Sequence, residues 1–143
     1  MKRVLQIILI VIYFNSSLCG QSVSVSKVVQ FLISQDRTII DLELKKLGFK
    51  FIEKKKFDEF IQYTYFKNGM SGKEKINVGT NDELFCIQYF TTADAFNIYK
   101  AKLLTDDFHF AYNYKENQYY ENESMRIGLN EKSSIISCFV PLK

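Results

Sequence analysis

Residues 47–69 read LGFKFIEKKKFDEFIQYTYFKNG, and the change of hydrophobic period inside this stretch decides the fold. Upstream of Gly48 the apolar residues recur at helical spacing. From Phe49 onward they alternate. Phe49 and Phe51 share one face of a strand, and Ile61, Tyr63 and Tyr65 share one face of the next. Period-two alternation marks strands with one face buried, and a period of 3.6 marks an amphipathic helix. Gly48 stands where a helix needs a left-handed cap, and Phe49 is placed to fold back on Leu44 as a Schellman stop.

Working back from Gly48, DRTIIDLELKKL forms a helix whose inward face holds Ile40, Leu44 and Leu47, broadened by Ile39 and Leu42. Asp36 and Asp41 lie toward its start and Lys45 and Lys46 at its end, in the sense the helix dipole favours. A shorter helical pattern, Val25, Val28, Val29 and Leu32, precedes it with Ser24 as N-cap. Working forward, KINV pairs Ile76 with Val78, and ELFCIQYF alternates Phe85, Ile87 and Tyr89 against Leu84, Cys86 and Phe90. Turn residues at 56–58, from Asn68-Gly69 onward and at 79–82 separate four strands of an antiparallel meander.

The pattern then begins again. Thr91-Thr92-Ala93-Asp94 resembles a capping box, and Phe96, Tyr99 and Leu103 follow at helical spacing. Phe108-His109-Phe110 echoes Phe49-Lys50-Phe51, and strands are expected at AYNY, QYYEN, SMRIG and SIISCFVP. The expected fold is therefore α+β. It consists of two tandem α-β-β-β-β units, about 36–91 and 92–143, forming a six- or eight-stranded antiparallel sheet with helices on one face. Pro141, the single proline, falls near the end of the last strand, where a missing donor is tolerated.

The front of the chain, MKRVLQIILIVIYFNSSLCGQS, has a different character. Lys2 and Arg3 precede an apolar run from Val4 to Phe14 broken only by Gln6, followed by small and polar residues. That order matches a secretory signal peptide over residues 1–20. The run is about half the ~20 residues a bilayer-spanning helix needs. Cutting after Gly20 places Gly at −1 and Leu18 at −3, a tolerable pair that starts the exported chain at Gln21, and cutting after Cys19 places the small residues Cys19 and Ser17 there. A lipoprotein reading instead makes Cys19 the lipidated first residue, against the bulky Leu18 before it. Export to the periplasm or beyond the cell is the first expectation, with an outer-membrane lipoprotein as the alternative. Contact with a membrane is expected only if Cys19 carries lipid.

The remainder, residues 21–143, has the length of one domain. The whole chain carries 19 basic and 16 acidic residues, and the leader holds two of the basic ones, so the domain is nearly neutral. Nucleic-acid binding, which uses a concentrated positive field, is not expected. Lys54-Lys55-Lys56 reads as a solvated hairpin end flanked by Glu53, Asp58 and Glu59. Cys86 and Cys138 are a candidate disulfide in an oxidising compartment, or simply small core residues on apolar strands.

No catalytic constellation emerges. His109, the only histidine, matches Lys50 in the repeat and reads as exposed. One histidine and two strand cysteines give too few ligands for a zinc site. GMSGKEK lacks the spacing and hydroxyl residue of a phosphate loop. Asp106, Asp107, Glu116, Glu121 and Glu123 lack the order of a calcium loop, and Asn122-Glu123-Ser124 is a glycosylation sequon only in a eukaryotic route. No cofactor is expected. The best functional lead is Tyr112, Tyr114, Tyr119 and Tyr120, either a recognition patch on an open sheet face or half-buried strand residues with hydroxyls at the rim.

The segment KKLGFKFIEKKKF…FIQYTYFKNG, with its helix, its LGF stop and its tyrosine-rich strand, resembles small exported proteins of Bacteroidota-type bacteria. The leader ending before Gln21 is similar to theirs. The resemblance covers most of the exported chain and implies no activity. The doubled helix-and-sheet plan also resembles, in topology alone, secreted β-lactamase inhibitor proteins. The reading is a small exported, non-catalytic binding module for an unknown protein or envelope component. Its alternatives are an inhibitor or immunity protein against a secreted enzyme, and a small secreted carboxylate-dependent hydrolase.

Overall fold

A computed structural model describes residues 23–69 and 72–143. The expected leader 1–20 and its Cys19 lie outside the described residues. Among the described residues three helices, α1 (Val25–Ser34), α2 (Arg37–Lys46) and α3 (Ala93–Leu103), accompany eight strands. These are β1 (Lys50–Phe57), β2 (Phe60–Gly69), β3 (Gly72–Thr80), β4 (Leu84–Phe90), β5 (His109–Tyr114), β6 (Asn117–Glu121), β7 (Arg126–Asn130) and β8 (Ile135–Pro141). All eight form one antiparallel sheet in the order β1-β2-β3-β4-β8-β7-β6-β5. Two four-stranded meanders thus meet along β4 and β8, where Gln88 sits opposite Ser137.

Local chemistry explains the helix ends. Ser24 accepts from the Lys27 amide at 3.1 Å, and Asp36 accepts from Thr38 and Ile39 at 2.8 and 3.2 Å. Each satisfies donors that a helix start leaves unpaired. α2 ends as LGF predicts. Gly48 adopts φ 87°, its amide reaches the Lys45 carbonyl, and the Phe49 amide reaches Leu44, both at 2.9 Å. Those two bonds define a Schellman stop. At α3 the cap is Thr92, one residue later than a capping box needs, so Asp94 lies in the first turn instead.

Alternation along the strands sorts the side chains. Tyr65, Ile76, Val78, Phe85, Ile87, Tyr89, Ile127, Leu129, Ile136 and Cys138 join Val28, Phe31, Leu32, Ile40, Leu44, Phe96, Tyr99 and Leu103 in one buried cluster. Truncating one of these, such as Ile76→Ala, costs about 2–5 kcal/mol. Ile39 and Leu42 do not broaden the buried face of α2. They are 49% and 54% exposed, because only Ile40 and Leu44 of that helix reach the core.

A buried carboxylate adds a polar element to this core. Glu74 is 2% exposed and accepts a short hydrogen bond from the Tyr89 hydroxyl, while the Tyr99 hydroxyl donates to the Val23 carbonyl at 2.7 Å. Buried polar atoms are tolerated when paired in this way. Burial and the Glu74 carboxylate push the Tyr89 phenol above its ordinary range.

Candidate functional site

On the sheet face opposite the buried cluster, register brings a second set of side chains together. Strand β5 carries a bulge between Phe110 and Tyr112, and beyond it Tyr112 pairs with Tyr119. Tyr119 in turn pairs with Gly128. The missing side chain matters here: a Cβ on Gly128 would stand 2.9 Å from the Tyr119 ring, so the ring lies against bare backbone. Tyr112 stacks on Tyr119 with centroids 4.8 Å apart and planes 21° apart, and Phe139 tilts toward the same ring at 6.5 Å.

Arg126 borders the stack. Its Nε and Nη2 donate to Glu121 Oε2 at 3.1 and 3.0 Å, and Nη1 donates to the Tyr112 hydroxyl at 3.5 Å. Burial and the neighbouring Tyr112 raise the Tyr119 phenol above its usual value, against the pull of Arg126. A cleft of about 410 Å³ opens beside these residues, with Leu84, Phe139 and Pro141 as its apolar wall. The 122–125 loop forms the other rim. Asn122 holds it shut, accepting from Ser124 and Met125 at 2.9 Å each and donating to Asp107 at 2.6 Å. A hydrogen bond from Thr105, with the one from the Asn122 amide, keeps the Asp107 carboxyl below its ordinary value.

The face continues across the other strands. Thr64, Asn77, Gln88 and Ser137 lie in one cross-strand row. Asn77 donates to Gln88 at 3.0 Å and Gln88 to Ser137 at 3.3 Å. Phe60 lies over Gly79 as Tyr119 lies over Gly128, and the Lys75 ammonium sits 3.6 Å from the Phe90 ring centroid. Aromatic rings, amides and ion pairs suit recognition by contact.

Of the four candidate tyrosines, Tyr112, Tyr114 and Tyr119 occupy this face by register. Tyr120 does not. It packs against the buried cluster, edge-to-face with Phe110 at 5.8 Å, because adjacent strand residues point to opposite faces. The sequence reading missed Arg126, Phe139 and Leu84, which stand in three different strands; the Arg within SMRIG was the one visible signal.

The other candidates are dispersed. His109 is exposed, 3.7 Å from Glu121. Glu116 pairs with Lys132 at 2.6 Å, and that ammonium lowers its pKa; Glu121 pairs with Arg126. Glu116 and Glu121 thus each meet a cation, and Asp107 meets the Asn122 amide. Cys86 and Cys138 are free, buried thiols. Cys138 pairs with Ile87 and Cys86 with Phe139, which puts the two on opposite faces, so the disulfide considered from sequence is not formed. Among the described residues no helix is long and apolar enough to cross a membrane. Comparison with protein-family models, with curated proteins and with solved structures finds no match for this chain.

Proposed function

We propose that this protein is a small exported binding module that acts without catalysis, gripping a protein or envelope component on the aromatic face of its sheet. The observation that carries the reading is the Tyr112–Tyr119 stack beside Arg126 at the mouth of the 410 Å³ cleft. Tyrosine and arginine dominate protein contact surfaces because each combines a large flat area with a polar end. Tyr112 and Tyr114 are 42% and 58% exposed, which leaves ring surface open to a partner on this face.

The module is built from two tandem α-β-β-β-β units, 36–91 and 92–143, with the helices on one face so that the other is left for binding. Several paired features support the duplication. Each edge strand bulges at the same place, between Phe51 and Glu53 and between Phe110 and Tyr112. Each bulge follows an edge-to-face pair, Phe51 on Tyr65 and Phe110 on Tyr120. Ile76 and Val78 match Ile127 and Leu129 in register. Export rests on the leader-like order of residues 1–20, and membership among small exported bacterial proteins rests on the LGF stop and the tyrosine-rich strand.

An inhibitor or immunity protein is the second reading. It is favoured by the width of the face, which draws Leu84, Tyr112, Tyr119, Arg126 and Phe139 from five strands and so suits a protein-sized partner. The test is photocrosslinking from a benzophenone side chain at Tyr112 and, separately, at Ile39 on the exposed side of α2, in the native producing cells and their medium. The reading expects one discrete adduct from position 112, abolished by Tyr119→Ser, and none from 39. Equal labelling from both positions, or none from 112, contradicts it.

A further inference from the structure

A second cleft, away from the aromatic face, lies between α2 and the first hairpin and measures about 500 Å³. Its floor is Tyr63 and Phe51, and its charged lining is Arg37, Asp41, Lys45 and Lys54. Lys54 reaches it because it sits opposite Tyr63 in the β1–β2 register. Lys55 falls on the other side of the strand and pairs with Glu53 at 2.8 Å. The lysine run that reads from sequence as uniformly solvated is thus divided by strand alternation.

Two cations converge on one ring. The Arg37 guanidinium carbon is 4.3 Å from the Tyr63 centroid and the Lys54 ammonium 5.5 Å. Arg37 uses one of its five donors on the Tyr65 hydroxyl, at 3.4 Å. The carboxylate of the cleft, Asp41, is already bound by Lys45 at 2.7 Å and by the Tyr65 hydroxyl, and its pKa is lowered chiefly by that lysine. Arg37 acts on it through charge at longer range. Three cations therefore face one carboxylate, a surplus of two positive charges over an aromatic floor.

We infer that this cleft binds the dianionic phosphate of a phosphomonoester, with Arg37 and Lys54 as its ligands and Tyr63 and Phe51 as the surface for the ester's organic part. The charge surplus matches a dianion. A planar guanidinium fork suits phosphate oxygens, and an ammonium supplies a point charge beside it. The inference goes beyond the binding face proposed above and does not depend on it.

The experiment titrates phenyl phosphate into the isotopically labelled protein and follows amide shifts. Saturable shifts are expected at Tyr63, Phe51 and the first turn of α2. Arg37→Gln and Lys54→Gln should each lower affinity by about tenfold or more, the scale of a lost charge-assisted hydrogen bond. Lys50→Gln, opposite Phe66 on the other face of the same strand, should leave affinity unchanged. Binding should also weaken below about pH 6, where a phosphomonoester loses its second charge. Phosphatidylcholine vesicles with and without phosphatidic acid separate the sources. Retention by phosphatidic acid that the same two variants abolish, alongside phenyl phosphate binding, assigns a lipid phosphate; phenyl phosphate binding alone assigns a soluble ester. Absence of saturable phenyl phosphate binding overturns the inference whatever the vesicles do, and so does an unchanged affinity in Lys54→Gln.

Discussion

The side-chain amide of Gln88 donates to the Ser137 hydroxyl at 3.3 Å across the seam between β4 and β8. On its other side the Gln88 carbonyl accepts from Asn77 at 3.0 Å. Gln88 therefore ties one meander to the other on the face away from the buried cluster, while Ile87, Tyr89, Ile136 and Cys138 do so within that cluster. A seam built this way fixes register, because a slip of one residue would exchange the two sets.

Removing the bridge leaves polar groups unpaired. Asn77 and Ser137 are 5% and 9% exposed, so Gln88→Ala strands a donor on the first and an acceptor on the second. The expected loss is about 1–3 kcal/mol, against about 1 kcal/mol for Ser137→Ala, which removes one neutral hydrogen bond. Urea unfolding of both variants measures the difference. Equal stability for Gln88→Ala and the parent would mean that the row is solvated.

The two glycines beneath aromatic rings should respond unequally to alanine. A Cβ on Gly79 meets the Phe60 ring at 2.2 Å and the Cys86 sulfur at 3.0 Å, whereas one on Gly128 meets Tyr119 at 2.9 Å. Gly79→Ala has to displace Phe60 and should cost about 1–3 kcal/mol, as overpacking does. Gly128→Ala asks for a smaller shift. It should cost less stability and instead disturb the Tyr112–Tyr119 stack, read as a change in tyrosine fluorescence. Equal costs, with an undisturbed stack, would contradict the placement of the rings.

Stability should fall in alkali. Burial pushes the Cys86 thiol from 9.0 up to about 11 and Cys138 up to about 12, and burial with the Asp41 charge pushes the Tyr65 phenol from 10.0 up to about 12. In each case the folded form holds its proton to a higher pH than the unfolded chain. The contribution is fully present below the unfolded values. It is lost as pH rises through the window from about 9 to 12, where the unfolded state binds fewer protons. The urea midpoint followed from neutral pH to about 11 should decline; a flat or rising midpoint would contradict the burial of these groups. Alkylation without reductant should label Cys86 and Cys138 only once the protein is unfolded.

Much of the fold was legible because it is local. The LGF stop of α2, the change of period at Phe49 and the short hairpins each follow from a few neighbouring residues, and the structure realises them. The pairing of β4 with β8 is not local: nothing in ELFCIQYF or SIISCFVP states which strand lies beside which. The opposed faces of Cys86 and Cys138 follow from that pairing and were hidden with it. The tyrosine lead was partly legible. Alternation alone separates Tyr119 from Tyr120, but the bulge that sets Tyr112 opposite Tyr119 has no signature in AYNY. Arg126 and Phe139 join the site only once the strands are ordered.

Both the aromatic face and its composition depend on β4 and β8 lying side by side with Gln88 opposite Ser137. Nuclear Overhauser contacts between backbone protons of residues 84–90 and 135–141 measure that relationship most directly. The expected result is an antiparallel ladder in which Gln88 faces Ser137, Tyr89 faces Ile136 and Cys86 faces Phe139. A ladder displaced by one residue, or no contact between the two strands, would contradict the account, since Phe139 would then leave the tyrosine face.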